Sequence, residues 1–276
     1  MKQQGIYTGA EGKLASYDIN YTANQKRPLL VFCHGFNGFK DWGAFNLMSD
    51  FFVQNGFQFI KLNFSHNGTS PEHPMDFVDL EAFGNNNFEK ELEDIEALLL
   101  NLKKESFADC LNFEKLFFIG HSKGGATALA YTLSHREISA CATLAAVLDP
   151  VARYGKENDK LWKENGVKFI LNGRTKQKMP LYHQLVENTK KIKAQLDLRN
   201  LLKSDKRKFL FIQGGKDEAV PVTEVNLVKN LPNCTVSIIE DANHVFGASH
   251  PYTNSDLPDD LQNALIQISN FFESVK

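Results

Sequence analysis

Lys115-Leu116-Phe117-Phe118-Ile119-Gly120-His121-Ser122-Lys123-Gly124-Gly125-Ala126-Thr127-Ala128 is the stretch whose reading decides the fold. A short apolar run, the length of one buried strand, ends at Gly120, and small residues suited to a helix packed on a sheet begin at Gly124. Between them Gly120-His121-Ser122-Lys123-Gly124 matches G-x-S-x-G, which needs a sharp strand-to-helix turn with the serine at its tip. The flanking glycines belong to that turn, because a β-carbon there would collide with neighbouring backbone. The helix N-terminus behind the serine favours developing negative charge. Ser122 is the candidate nucleophile, set against the plainer role of a serine that caps a helix.

Outward from this point, short apolar runs alternate with amphipathic ones. Leu29–Cys33, Phe57–Asn63, Ala140–Ala146, Lys208–Gln213 and Thr235–Glu240 read, with Lys115–Ile119, as strands buried on both faces. Lys13–Tyr21 alternates loosely and reads as part of an antiparallel edge. Helices are expected at Phe88–Lys104, where Leu92, Ile95, Leu99 and Leu102 share a face, and at Ser122–Ser134, Val222–Asn230 and Asp259–Val275. Strands crossing over through helices build an α/β domain with a parallel sheet.

The rhythm breaks between Pro150 and Lys208. A helix-like run at Asn158–Glu164 leads to the apolar Val167–Leu171, the turn signal Asn172-Gly173, a polar segment to Pro180 and a helical run at Leu185–Leu202. An insertion at about residues 150–207 in a single domain spanning 1–276 sits where a lid or cap would lie. From Val151 to Lys208 there are 16 Lys/Arg against 6 Asp/Glu, net +10, while the remainder carries 15 against 27, net −12. Such a field could steer anionic substrates, although surface lysines more often serve solubility.

The whole chain carries a net charge of −2, which argues against a nucleic-acid partner. No apolar stretch is long enough to span a bilayer, and the N-terminus lacks a signal-peptide core, so a cytoplasmic location is expected. The four cysteines, Cys33, Cys110, Cys141 and Cys234, follow neither disulfide nor metal-ligand spacing and read as reduced thiols.

On these residues the chain resembles the α/β-hydrolase superfamily from about Leu29 to its C-terminus. Gly120-His121-Ser122-Lys123-Gly124-Gly125, the His34-Gly35 loop and the Asp217 and His244 segments are similar to bacterial carboxylesterase-like hydrolases, and also to serine peptidases with a related catalytic domain. Asn63-Phe64-Ser65-His66-Asn67-Gly68 resembles the loop after the fourth strand in such enzymes. The resemblance implies an α/β-hydrolase fold: a mostly parallel twisted sheet of about eight strands with helices on both faces.

It also implies that the nucleophile is followed along the chain by an acid and then a histidine. His244, in Asp241-Ala242-Asn243-His244 directly after a strand, takes the place of the base, with His250 as the rival. Gly214-Gly215-Lys216-Asp217-Glu218-Ala219-Val220-Pro221 resembles the family's acid loop and makes Asp217 the acid, with Glu218 and Asp149 as rivals. A carboxylate there would fix the imidazole tautomer and stabilise the imidazolium. The family's oxyanion hole pairs backbone N–H groups that correspond here to Phe36 and Lys123. One such donor contributes about 3 kcal/mol. His34 reads as a residue that ties this loop together, and the loop lacks the longer His-Gly-Gly-Gly form of enzymes for bulky tertiary-alcohol esters.

The expected chemistry is acyl transfer from a small-molecule ester to water, with no metal or organic cofactor. A peptidase, amidase or thioesterase shares the same tetrahedral chemistry. A non-catalytic ligand-binding member of the fold is the reading from another class, and the filled triad positions weigh against it. His66 and His73 lack partners at metal-ligand spacing and read as ordinary loop residues.

Overall fold

The computed structural model describes residues 1–156 and 160–275. Its strands are β1 (Lys2–Thr8), β2 (Leu14–Asn20), β3 (Arg27–Cys33), β4 (Gln58–Leu62), β5 (Leu111–His121), β6 (Ile138–Leu144), β7 (Val167–Leu171), β8 (Lys178–Tyr182), β9 (Phe209–Gly214) and β10 (Cys234–Ile239). Eight of them form one sheet in the order β1-β2-β4-β3-β5-β6-β9-β10, parallel from β4 to β10, with the β1/β2 hairpin antiparallel at one edge. The expected α/β-hydrolase sheet is present.

Period-two alternation divides each central strand between two cores. Leu29, Val31, Leu116, Phe118 and Cys141 face one layer, while Leu30, Phe32, Phe117, Ile119 and Ala142 face the other. The first layer is covered by α3 (Phe88–Leu102) and α4 (Lys123–Ser134), and the second by α1 (Phe45–Gln54) and α9 (Asp259–Ser274). The remaining helices are α2 (Leu80–Gly84), α5 (Pro150–Tyr154), α6 (Lys160–Asn165), α7 (Gln184–Lys191) and α8 (Leu198–Ser204). Phe52, Phe57, Phe59, Phe117 and Phe272 are fully buried between sheet, α1 and α9. Each such side chain contributes about 1.5–3 kcal/mol of burial.

Three readings of the sequence need correction. The run Thr235–Glu240 is not buried on both faces: β10 ends the sheet, and Ile238 is exposed. Val222–Asn230 forms only a 3-10 turn, Val222–Leu227, in which Val225 alone is buried. Leu185–Leu202 is two helices, since α7 ends at Lys191 and Asp197 starts α8 by accepting the Asn200 N–H. In the helix expected at Asn158–Glu164, the first two residues lie outside the described residues and α6 begins at Lys160.

The insertion continues with an antiparallel hairpin, β7 and β8, closed by Asn172, whose Oδ1 accepts the N–H groups of Arg174 and Thr175. It meets the body through an aromatic cluster that includes Phe39, Phe77, Phe83, Trp162, Met179 and Leu181. Two buried lysines, Lys40 and Lys61, paired with the partly buried Asp18 and Asp41, tie the loop after β3 to β2 and β4. Asn63 adds an anchor by accepting the Lys40 backbone N–H at 2.6 Å.

Candidate active site

Parallel strands end on one edge of the sheet, and the loops leaving that edge gather the chemistry. Ser122 follows β5 at φ 55°, ψ −121°, in the left-handed region that a residue with a β-carbon enters at a cost of about 1–3 kcal/mol. Its N–H donates to Leu144 O at 2.9 Å, and its carbonyl accepts from Gly125 and Val147. The turn closes so tightly that a β-carbon on Gly120 would stand 2.3 Å from Gly124 O, and one on Gly124 would stand 2.2 Å from His34 O. Steric necessity therefore accounts for both outer glycines of the motif.

Asp217 leaves the end of β9 and is held on both oxygens. Oδ1 accepts the N–H groups of Ala219 and Val220, each at 2.8 Å, while Oδ2 accepts from Gln213 Nε2 at 2.9 Å and His244 Nδ1 at 2.8 Å. Burial acts to raise its pKa, but the His244 contact and the two backbone donors outweigh it and hold the carboxyl below its ordinary 3.8. With Nδ1–H committed to Asp217, the free nitrogen of His244 is Nε2, the one a general base needs.

Ser122 and His244 line one cavity of about 220 Å³. Among the described residues the Ser122 hydroxyl makes no hydrogen bond, so the Ser122–His244 link is a shared pocket and not a formed bond; such bonds are often long before substrate arrives. Phe36, Trp42, Phe45 and Val245 give the cavity apolar walls. None of its lining residues comes from the insertion at 150–207. Phe36 is packed against Phe83, with ring centroids 5.5 Å apart. The backbone N–H groups of Phe36 and Lys123 find no acceptor among the described residues, as donors reserved for an oxyanion would.

The rivals are accounted for by other partners. Glu218 is exposed, and Asp149 caps α5 by accepting the Ala152 N–H at 2.8 Å. His250 accepts the Gly43 N–H at 3.0 Å and packs edge-on against Phe39. His34 bonds Gly35 O through Nδ1 and receives Phe64 N–H and the Asn67 amide on Nε2, which knits two loops together. Burial pushes its pKa down to about 4. His66 contacts Ser65 and Glu11, and among the described residues no group of three or more His, Cys, Asp or Glu could hold a metal. All four cysteines are free thiols.

Two residues of the motif do more than a sequence pattern shows. The Lys123 side chain is buried in an ion pair with Glu91, whose other oxygen accepts Thr127 Oγ1 at 2.6 Å. Burial lowers the Lys123 pKa, and Glu91 opposes that shift. His121 is buried with its Nε2 at 2.8 Å from the His244 main-chain carbonyl and its ring centroid 4.8 Å from that of His244. Burial first, then the nearness of His244, brings its pKa to about 3. Neither contact has a signal in the sequence, because the partners lie far away along the chain.

A parallel sheet carrying a strained serine, a later carboxylate and a histidine bonded to it defines the class, and the chain belongs to the α/β-hydrolase fold family, whose model matches residues 28–166. It is similar to a pimeloyl-[acyl-carrier protein] methyl ester esterase of Wigglesworthia glossinidia brevipalpis, 36% identical over 91 residues, which cover 32% of this chain. The match spans about a third (35%) of that relative. Among solved structures, Est1E from Butyrivibrio proteoclasticus with ferulic acid bound superposes with a TM-score of 0.73 at 20% identity, covering 98% of this chain and 99% of that one. An acylaminoacyl peptidase from Pyrococcus horikoshii gives 0.67 at 15% identity over 99% of this chain and 41% of its own. At these identities the structural likeness is one of fold. No helix among the described residues is long and apolar enough to cross a membrane.

Proposed function

We propose that the protein is a serine hydrolase that cleaves a small-molecule acyl ester through a Ser122 acyl-enzyme. The observation that carries this reading is the 2.8 Å bond from His244 Nδ1 to a carboxylate saturated with donors, beside a serine held at φ 55° in the same cavity. His244 Nε2 takes the Ser122 proton as the hydroxyl attacks the carbonyl carbon, and the Phe36 and Lys123 N–H groups receive the oxyanion. Collapse expels the alcohol, which takes the proton from His244. A water activated by the same nitrogen then releases the acid and restores Ser122. Every atom and proton is accounted for by these residues and water.

The cavity of about 220 Å³ is smaller than the ~300–1,000 Å³ of drug-sized ligand sites, which favours a short or flat acyl group. The test is a fluorophosphonate probe followed by a panel of nitrophenyl esters of increasing chain length, run beside aminoacyl amides. Labelling of the wild type and none of Ser122→Ala, with turnover concentrated on short esters, is the expected result. Equal labelling of both proteins ends the serine reading, and a preference for the amides replaces the esterase with a peptidase.

A further inference from the structure

We infer that His121 is a positioning residue: its Nε2–H anchors the main-chain carbonyl of His244 and so sets where the imidazole stands relative to Ser122. This rests on the reading of Ser122, His244 and Asp217 as the catalytic group.

The loop that carries His244 has little of its own to hold it. It follows β10 without joining the sheet ladder, and Phe246 and Gly247 take positive φ values of 52° and 80°. Most of its internal bonds centre on Asn243, whose Oδ1 accepts the N–H groups of Val245 and Gly247 and whose carbonyl accepts that of Phe246; one more runs from Ala248 N–H to Val245 O. None of these involves the backbone of His244. Among the described residues its carbonyl has a single donor, His121 Nε2 at 2.8 Å, and its own N–H has no acceptor. Asp217 fixes the rotation of the ring through Nδ1, whereas His121 fixes the point from which the ring is hung.

His121 is suited to that task by where it grows. It is the last residue of β5, in register with Leu144, so the strand that sets the serine turn also sets the imidazole anchor. The nucleophile and the base, 122 positions apart in the chain, are thereby referred to one backbone segment. A carbonyl only accepts, so Nε2 must carry the proton and Nδ1 must be bare. Nδ1 is turned towards the oxyanion loop, where a β-carbon on Gly35 would lie 3.2 Å from it.

The charged and titratable groups that bear on the ring are His244, Asp217 and His34. Burial and His244 keep His121 neutral, against the pull of Asp217. That neutrality is required of an anchor 4.8 Å from a ring that becomes an imidazolium in each half of the reaction, since a second positive charge there would oppose it.

The experiment compares His121→Leu, His121→Asn and His121→Gln. Gln places an amide N–H near the position of Nε2, Asn falls short of the carbonyl, and Leu supplies no donor. Leu and Asn are expected to lower kcat by about 10- to 100-fold with KM within about twofold, and to slow fluorophosphonate labelling in proportion. Gln should recover kcat to within about threefold of wild type and leave the acid limb of the kcat/KM profile where it is. The Asn and Gln pair decides the matter if the Leu protein does not fold. Wild-type kcat in the Asn variant, no recovery in a Gln variant of unchanged Tm, or an acid limb that moves with Gln would each overturn the inference. Failure of the parent reading looks different: wild type itself would then neither turn over ester nor label at Ser122.

Discussion

The sheet edge around Ser122 and the insertion at 150–207 are built from opposite materials. At the sheet edge, loops are fixed by contacts too close for a β-carbon, by buried hydrogen bonds and by a charge cluster built on the buried Lys40 and Lys61 in and beneath the loop after β3. The insertion is a set of short helices and a two-stranded hairpin, strongly cationic, leaving Leu161, Phe169 and Leu171 more than 60% exposed. The chemistry proposed for Ser122 needs placement to within a fraction of an ångström, and the first kind of structure suits it. The second kind supplies no wall of the Ser122 cavity; among the described residues it reaches the proposed machinery by packing near Phe36 and through Arg153, whose guanidinium donates to Ala219 O on the Asp217 loop at 3.0 Å. Substitutions should therefore divide sharply by region.

The largest effects belong to the sheet edge. Ser122→Ala should lower ester kcat by on the order of 10⁴-fold or more, measured against a nitrophenyl ester with the Tm checked alongside. A residual rate within tenfold of wild type would break the contrast at its strongest point. Asp217→Asn should cost about 10³- to 10⁴-fold, because Gln213 and the two backbone donors remain while the tautomer of His244 is lost. A small effect would mean that the carboxylate merely shapes its own turn.

The charge cluster sharpens the comparison through stability. Burial acts to raise the Asp41 pKa, but Lys61 and Lys40 outweigh it and bring the carboxyl from 3.8 to about 2. A depressed carboxylate stabilises the fold fully above its unfolded pKa and loses that contribution as pH falls through the folded one. Urea unfolding between pH 5 and 2 should lose on the order of 2 kcal/mol from this source, and Asp41→Asn should flatten that limb. An identical slope in the variant would remove the cluster from the account of loop rigidity.

The smallest effect is expected in the insertion. Replacing Lys190, Lys191 and Lys193 by Glu should lower kcat/KM for an anionic ester by no more than a few-fold, leave a neutral ester unchanged and lose its effect in high salt. A large, salt-insensitive loss would show that the insertion reaches the substrate directly.

The same division governs what could be read from the chain. The central strands β3, β4, β5, β6 and β9 announce themselves because residues buried on both faces must be largely apolar, and the serine turn because only glycine fits beside it. β1 was illegible: Lys2-Gln3-Gln4 carries no pattern, and the strand exists by pairing with β2. α1 begins after Ala44 without a side-chain cap, so nothing local marked its start. Ser122, Asp217 and His244 occupied recognisable segments, yet His121 occupied a variable slot of its motif, and its partner carbonyl is defined only by the folded sheet. Tertiary hydrogen bonds to backbone leave no trace in residue type.

The most direct measurement is acid-quench trapping of the reaction with a slow ester, followed by mass spectrometry of the peptide containing Ser122. One acyl group on Ser122 is expected, formed within the burst and absent when His244 is replaced by Ala. An adduct on another residue, or full turnover with Ser122 unmodified and replaceable, would contradict it.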